Sequence, residues 1–178
     1  MATIQTFTAG QVLTAAQLNT LQSYVGAVQV LNTVKTDTFT VASTAYTDIT
    51  GLSVSITPTS ASNKVLVVAM VQGAGTASSS SGFLQLVRDS TAIGLGDTAG
   101  TRTRVTGMVA RGGLTAGDMV TSTMVFLDSP ATTSATTYKV QMRGQTGTTV
   151  FVNRAENDAD DPSRPRGISS ITVFEVTP

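Results

Sequence analysis

The sequence predicts a mainly β protein, an antiparallel β-sandwich or jelly roll preceded by a short N-terminal arm and helix. Leu52–Ile56 alternates apolar and polar side chains, which is typical of a strand with one buried face. Val65–Val71 is apolar without a break and rich in β-branched residues, which predicts a strand covered on both faces. Because Pro58 and a small polar turn separate these two stretches, they indicate two layers of sheet.

The composition agrees with one main β domain. The chain has 178 residues, enough to bury a full core, and Ser and Thr together make up more than a quarter of it. Eleven basic residues balance 11 acidic ones. A net charge of zero argues against a nucleic-acid or anionic-membrane partner, since each of these selects a basic patch. The longest apolar run has seven residues, far fewer than a membrane span needs.

Cys, His and Trp are absent from the chain. A structural zinc site, a Ser–His–Asp triad and a Cys–His dyad are therefore excluded. Residues 1–6 contain neither a basic region nor a long apolar core, so we expect no signal peptide. The sequence predicts a non-enzymatic protein with no catalytic, cofactor-binding or metal residues, and no cofactor.

Residues 1–35 are predicted to form an N-terminal arm and helix that serve attachment or trimerisation, ahead of a sandwich domain over 36–178. Thr14 and Gln17 fit a capping box, which favours a helix from Ala15 to Gln29. The apolar residues of that helix are spaced by three, four and three; they are Leu18, Leu21, Val25 and Val28. The stripe either lies on the sheet domain or another protein, or forms a short coiled coil between copies of the chain.

From Thr36 onward short strands alternate with turns. The predicted strands are Thr38–Ala42, Tyr46–Thr50, Leu52–Thr57, Lys64–Gln72, Phe83–Arg88, Ala92–Gly96, Thr103–Ala110, Met119–Leu127, Tyr138–Arg143, Thr149–Asn153 and Ile168–Val176. Gly51 is expected to break the second from the third, and Gly73–Gly82 to form a loop. So many short strands without a fixed repeat indicate a sandwich, and their number suits a jelly roll.

Few residues are candidates for chemistry. The chain has two Glu residues, Glu156 and Glu175, and the sequence cannot show the carboxylate pair that sugar hydrolysis needs. We expect Glu175 to pair with a basic residue or to lie at an interface. Arg102 and Arg104 are expected on a solvated strand edge, although they could bind an acidic neighbour. The Gly94–Gly96 segment lacks the third Gly and the Lys of a phosphate loop.

The most polar segment is the loop Asn153–Gly167. Its oxygen ligands suit Ca²⁺ or Mg²⁺ by type, but the alternation of an EF-hand is missing. We favour self-pairing within the loop; the acidic and amide candidates are Asn157, Asp158, Asp160 and Asp161, and the basic ones are Arg154, Arg164 and Arg166. Its length and charge lead to the hypothesis that the loop is a contact surface. Replacing it by Gly and Ser without effect on assembly or particle binding would contradict that hypothesis.

Several sequence segments together resemble those of tailed-bacteriophage virion proteins. The opening Phe7–Asn19 resembles the N-terminal segment of fibre-like and minor structural proteins of that kind. Asp48–Pro58, Arg88–Thr91, Leu127–Pro130 and Ser169–Val176 are similar, in order, to a small β domain found in them. The resemblance covers nearly the whole chain and implies a homotrimeric jelly-roll knob, similar to tumour-necrosis-factor-like heads, on an attachment segment. The chain lacks the shaft of a typical fibre.

The resemblance implies a structural component of the virion, assembled in the host cytoplasm and bound through its N-terminal segment to other virion proteins. Capsid cement or decoration and a short tail fibre both remain open as its place. The alternative is a receptor-binding module whose loops recognise host surface glycan or protein. A polysaccharide hydrolase is a third alternative, and it has no family residue to support it.

Overall fold

Eleven β-strands make up the part of the chain that the structure, a computed structural model, describes: residues 9–12, 14, 27–76, 81–110 and 116–177. The strands are β1 Gln29–Lys35, β2 Phe39–Val41, β3 Thr47–Ile56, β4 Lys64–Gly75, β5 Ser81–Arg88, β6 Thr91–Ile93, β7 Gly107–Ala110, β8 Val120–Asp128, β9 Thr136–Gly144, β10 Val150–Val152 and β11 Ser169–Val176. No helix that could cross a membrane occurs among these residues. The prediction of a mainly β protein is confirmed.

The strands form two antiparallel sheets. Sheet A has the order β1–β11–β4, with β8 on the other edge of β4, and β10 followed by β2 beside the last residues of β4. Sheet B has the order β3–β9–β5, and both β6 and β7 pair with the far edge of β5. The predicted antiparallel sandwich is therefore confirmed as well.

The core lies between the sheets and is filled by every second residue of the long strands. Sheet A contributes Val65, Val67, Ala69 and Val71 of β4 with Ile171 and Val173 of β11; sheet B contributes Leu52, Val54, Ile56, Leu84, Leu86, Tyr138, Val140 and Met142. Burying a side chain of this size fully is worth roughly 1.5–3 kcal/mol. A one-residue slip in any long strand would turn this set outward, so the core fixes the register.

Gly51 does not break the chain into two strands, as predicted, but lies inside the single strand β3. Its φ of +81° is one that side chains disfavour and glycine accepts. The register of β3 with β9 shifts between Asp48 and Ser53, which is the mark of a β-bulge. The sequence correctly indicated an irregularity at Gly51, but the glycine bends the strand instead of ending it.

The predicted helix Ala15–Gln29 lies outside the described residues except at its end, and there the chain is extended. Gln29 is the first residue of β1, which pairs along its whole length with β11. No strand was predicted over residues 29–35. The predicted strand Thr103–Ala110 is also shorter than expected, because only β7 pairs with β5 and residues 102–105 are irregular.

Buried polar side chains join the sheets at one end of the sandwich, which we call the proximal end. Asp128, at the end of β8, accepts two hydrogen bonds from Arg88 Nη1, at 3.0 and 2.9 Å, and one from Tyr138 Oη at 2.7 Å. Burial, and then the Asp128 carboxylate, raise the pKa of Tyr138 above its usual value. Because Arg88 and Tyr138 belong to sheet B, this cluster ties the two layers together.

Asn153 organises the opposite, distal end. It is fully buried with a φ of +61°. Its Nδ2 donates to the carbonyls of Lys35 and Asp37 at 2.8 and 2.9 Å, and its Oδ1 accepts from Ser169 Oγ at 2.7 Å. The Gly167 N–H donates to the Asn153 carbonyl at 3.1 Å. One side chain thus joins the ends of β1, β10 and β11, and the loop that begins at Asn153 is closed at its base.

Candidate interaction surface

The outward side of β4 is apolar. Leu66, Val68 and Met70 alternate with fully buried core residues and are half-exposed. Within the part of the chain that the structure describes, no element covers this side, so the prediction that Val65–Val71 is covered on both faces is not met by these residues. The composition of β4 fits a strand with two buried faces, and the structure supplies one.

The pairing register extends this apolar side across four strands. Leu66 lies opposite Phe174 of β11 and Leu127 of β8, and Phe174 lies opposite Val30 of β1. Residues that face each other across an antiparallel pair point to the same side of the sheet. The outer apolar face consists of the outward apolar residues of three such rows: Val30, Val34, Leu66, Val68, Met70, Val125, Leu127 and Phe174.

The outer apolar face is exposed at its edges and free of charge. Val125 is 61% exposed, Val30 51% and Leu127 49%. The other members of the three rows are small or neutral: Asn32, Thr123, Ser170 and Thr172. A contiguous apolar patch on a protein surface usually marks a site of interaction. The three rows carry no charge, and Lys64 of β4 lies beside them at the proximal end, so two copies of the face meet no repulsion across the rows themselves.

The outward side of sheet B has the opposite character. Lys139 Nζ lies 2.8 Å from Asp48 Oδ2, and Gln141 Nε2 donates to Asp48 Oδ1 at 2.6 Å. Gln85 Nε2 continues the chain by donating to Gln141 Oε1 at 2.6 Å. Hydrogen-bonded polar side chains of this kind are those of a surface that faces water.

Glu175 is fully buried on the core side of β11, next to Phe174 of the outer apolar face. Its carboxylate accepts hydrogen bonds from Gln29 Nε2 at 2.6 Å, Asn63 Nδ2 at 2.6 Å, and both the N–H and the hydroxyl of Thr59 at 2.7 and 2.8 Å. Burial raises the pKa of Glu175, but these hydrogen bonds outweigh it and hold the pKa at about 2.

The predicted basic partner of Glu175 is wrong. Among the described residues no cation lies within ion-pair distance of its carboxylate, because neutral donors occupy its lone pairs. These bonds join the first residue of β1, the β3–β4 connection and the end of β11. The ionised form of Glu175 accepts all of these hydrogen bonds, and it thereby holds the proximal end of sheet A together.

The loop Asn153–Gly167 pairs with itself in part, as favoured. Asp158 lies 2.8 Å from Arg166 Nη2, and both are exposed. The guanidinium of Arg154 lies 3.8 Å above the ring centroid of Phe151 and donates to two loop carbonyls. Arg164 packs closely against Gly117, and a side chain at that glycine would displace the guanidinium.

The other oxygen ligands of the loop serve local turns. Asn157 Oδ1 accepts from the Ala159 N–H, and Asp161 Oδ1 accepts from the N–H and hydroxyl of Ser163. The Ser163 bonds lower the pKa of Asp161. Asp160 is exposed. No group of three or more acidic side chains that could hold a metal ion occurs among the residues that the structure describes.

Arg102 and Arg104 are not on a strand, contrary to the prediction. Both lie in the irregular connection before β7 and are exposed. Arg104 Nε donates to the Gly96 carbonyl at 2.6 Å, and the Arg104 carbonyl accepts from Tyr46 Oη. Arg104 thus closes the connection between β6 and β7 and pins it near the N-terminal end of β3.

The analysis of single strands did not find the outer apolar face as a surface. Val125 and Leu127 lie in the apolar stretch 124–127, and Val30 precedes Leu31, but the sequence alone does not show which of these side chains point outward. The unbroken apolar run of β4 was the clearest indication. A depression around Arg143 on sheet B, described below, was not found either.

No protein-family model matches the chain, and no curated protein matches it. Among solved structures, that of infectious bursal disease virus, Gx strain, is similar over 84% of this chain, with 16% identity and a TM-score of 0.41. The match covers 37% of the viral chain, so this chain spans well under half of the length of that neighbour. A similarity this distant carries no information on function.

Proposed function

We propose that this chain is a non-enzymatic structural component of a bacteriophage particle, a small homotrimeric knob held by its N-terminal segment. The observation that carries the proposal is the outer apolar face of sheet A. Leaving such a face in water forgoes roughly 25 cal/mol for each Å² of apolar surface, and packing copies together recovers it. Closed symmetric assemblies of identical chains also bury exposed sheet edges.

The strand order supports a jelly roll. Sheet A reads β1–β11–β4–β8 and sheet B reads β3–β9–β5–β6, so the chain crosses between layers in the manner of two nested Greek keys. The trimeric state and the phage particle are expectations from the resemblance of Phe7–Asn19 and the later phrases. The uncharged rows of the outer apolar face make self-association the favoured use of that face.

The two ends of the sandwich suit an attached knob. β1 starts beside the end of β11, where the Val28 N–H donates to the Glu175 carbonyl at 2.7 Å. The N-terminal segment therefore enters at the proximal end. The loop Asn153–Gly167 and the β9–β10 turn lie at the distal end. Attachment at one end leaves the loops at the other end free.

The mass of the native protein in solution tests the trimer. Light scattering at micromolar concentration should give about three times the chain mass of 18.3 kDa. A monomeric mass contradicts the proposal. Immunogold labelling with antibody against the chain should mark phage particles, and a cryo-EM map of those particles distinguishes capsid decoration from a tail position. Antibody that labels no particle contradicts the virion role even if the protein is a trimer.

A further inference from the structure

An open depression lies on the outward side of sheet B, near its distal end. It is lined by Phe83 of β5, Arg143 of β9, Thr103 of the β6–β7 connection, and Gln145 and Thr146 of the β9–β10 turn. All five come from one chain. The depression therefore exists whether or not the protein assembles.

Arg143 is held rigidly in this depression. Its Nη1 donates to the Thr44 carbonyl at 3.0 Å, and its Nη2 donates to Thr103 Oγ1. The guanidinium lies 4.9 Å from the ring centroid of Phe83 and 5.6 Å from that of Tyr46. Contacts on two rings and two hydrogen bonds fix the orientation of the side chain, so a ligand would find the donors already arranged.

The charge of Arg143 is not neutralised within the described residues. No carboxylate lies within ion-pair distance of it, and the nearby Asp48 is occupied by Lys139 and Gln141. Two of the five N–H groups of the guanidinium donate to Thr44 and Thr103, and a third can serve the Tyr46 hydroxyl, which leaves two for a ligand. A planar guanidinium with free N–H groups can donate two parallel hydrogen bonds to a carboxylate.

We propose that this depression binds a sugar residue that carries a carboxylate, as a unit of a surface polysaccharide. Arg143 takes the carboxylate, and the Gln145 amide and Thr146 hydroxyl take ring hydroxyls. A sugar fits better than a peptide because the lining is polar, open and without an apolar pocket for a side chain. The site goes beyond the structural role and does not depend on trimerisation.

Titration calorimetry with oligogalacturonate, against a neutral galactan oligomer of the same length, tests this site. The native protein should bind the acidic oligomer and not the neutral one. Arg143→Gln should weaken binding at least tenfold, and Arg143→Lys, which keeps the charge but loses the fork, should lie between. Lys64→Gln, which removes a cation at the first residue of β4 on the other sheet and at the proximal end, is the matched control and should change binding less than twofold.

Three outcomes overturn the proposal: equal binding of both oligomers, equal loss in the control, or stronger binding of a short acidic peptide. If oligogalacturonate does not bind, a glycan array that includes sialylated and uronate-containing glycans is used. The absence of any carboxylate-dependent signal on that array also overturns the proposal. Light scattering on every variant shows whether assembly is intact. A failure of this site is thereby distinguished from a failure of the trimer.

Discussion

The two outward faces of the sandwich are built on the same pleated backbone and have opposite chemistry. On sheet B, Lys139 and Gln141 alternate with the core residues of β9 and hydrogen-bond to their neighbours. On sheet A, the three central outward positions of β4 are Leu66, Val68 and Met70, between Lys64 and Gln72 at its ends. A strand that faces water has polar residues at every second position, so three apolar ones in succession indicate that the middle of this side suits burial against a partner.

The largest expected effect comes from a charge placed on the outer apolar face, compared with the same charge placed on sheet B. Leu66→Asp should convert the proposed trimer to monomer, because a carboxylate buried without a partner costs several kcal/mol, or at least a 100-fold loss in association. Ser55→Asp, an exposed position on sheet B, should leave the trimer intact. Light scattering across a dilution series measures both. The comparison of faces fails if the two variants dissociate equally.

Adjacent residues of β11 sharpen the comparison, because they point to opposite sides of sheet A. Glu175→Gln should lower the free energy of unfolding by about 2 kcal/mol, since one oxygen that accepts hydrogen bonds becomes an NH₂ that faces donors. Urea unfolding in the monomeric Leu66→Asp background measures this without the contribution of assembly. Phe174→Ser is the matched comparison: it should weaken association of the native chain and cost the monomer less than the loss of a core side chain, since Phe174 is partly exposed. A loss of monomer stability as large as that for a core phenylalanine, about 3–5 kcal/mol, would contradict the assignment of its side chain to the outside.

The pH dependence of stability should follow Glu175. Its pKa is lowered on folding from 4.5 to about 2, so the folded state prefers the ionised form. The stabilisation is complete above the unfolded pKa and is lost as the pH falls from about 4.5 towards 2. Unfolding at pH 7, 4 and 3 should show this decline, and Glu175→Gln should make it shallower. Parallel declines in both proteins would mean that other carboxylates dominate.

The smallest effect is expected on sheet B. Lys139→Ala removes the exposed ion pair with Asp48, and such pairs contribute less than about 1 kcal/mol. The trimer should persist and the urea midpoint should move only slightly. A loss of assembly in this variant would show that the polar face also takes part in the interface.

Much of the sandwich could be predicted because strand alternation is a local property. The β9 pattern, with Tyr138 and Val140 inward and Lys139 outward, needs no knowledge of its partners. β1 shows the limit. Its residues follow a run with helical spacing, and what makes them a strand is β11, about 140 positions later in the chain. Local sequence carries no record of that pairing, so no strand was predicted at residues 29–35.

The candidate sites were harder to predict than the fold, for the same reason. The outer apolar face combines single residues from four strands that are distant in sequence. Arg143 acts with Phe83 and Thr103, and no spacing relates the three. The apolar run in β4 was the clearest sign of an interaction, because its excess of apolar residues is visible without a partner. A surface assembled from separated strands becomes apparent once the register is known.

The pinned base of the Asn153–Gly167 loop has a consequence for how this protein can vary. Since the Gly167 N–H meets the Asn153 carbonyl and Arg154 pairs with Arg166 in a β-bridge, the chain enters and leaves the excursion at one point. Lengthening such a loop costs only about 0.6 kcal/mol for each doubling. The tip of this loop can therefore vary in sequence and length, or accept an engineered foreign epitope, while the β framework keeps its stability.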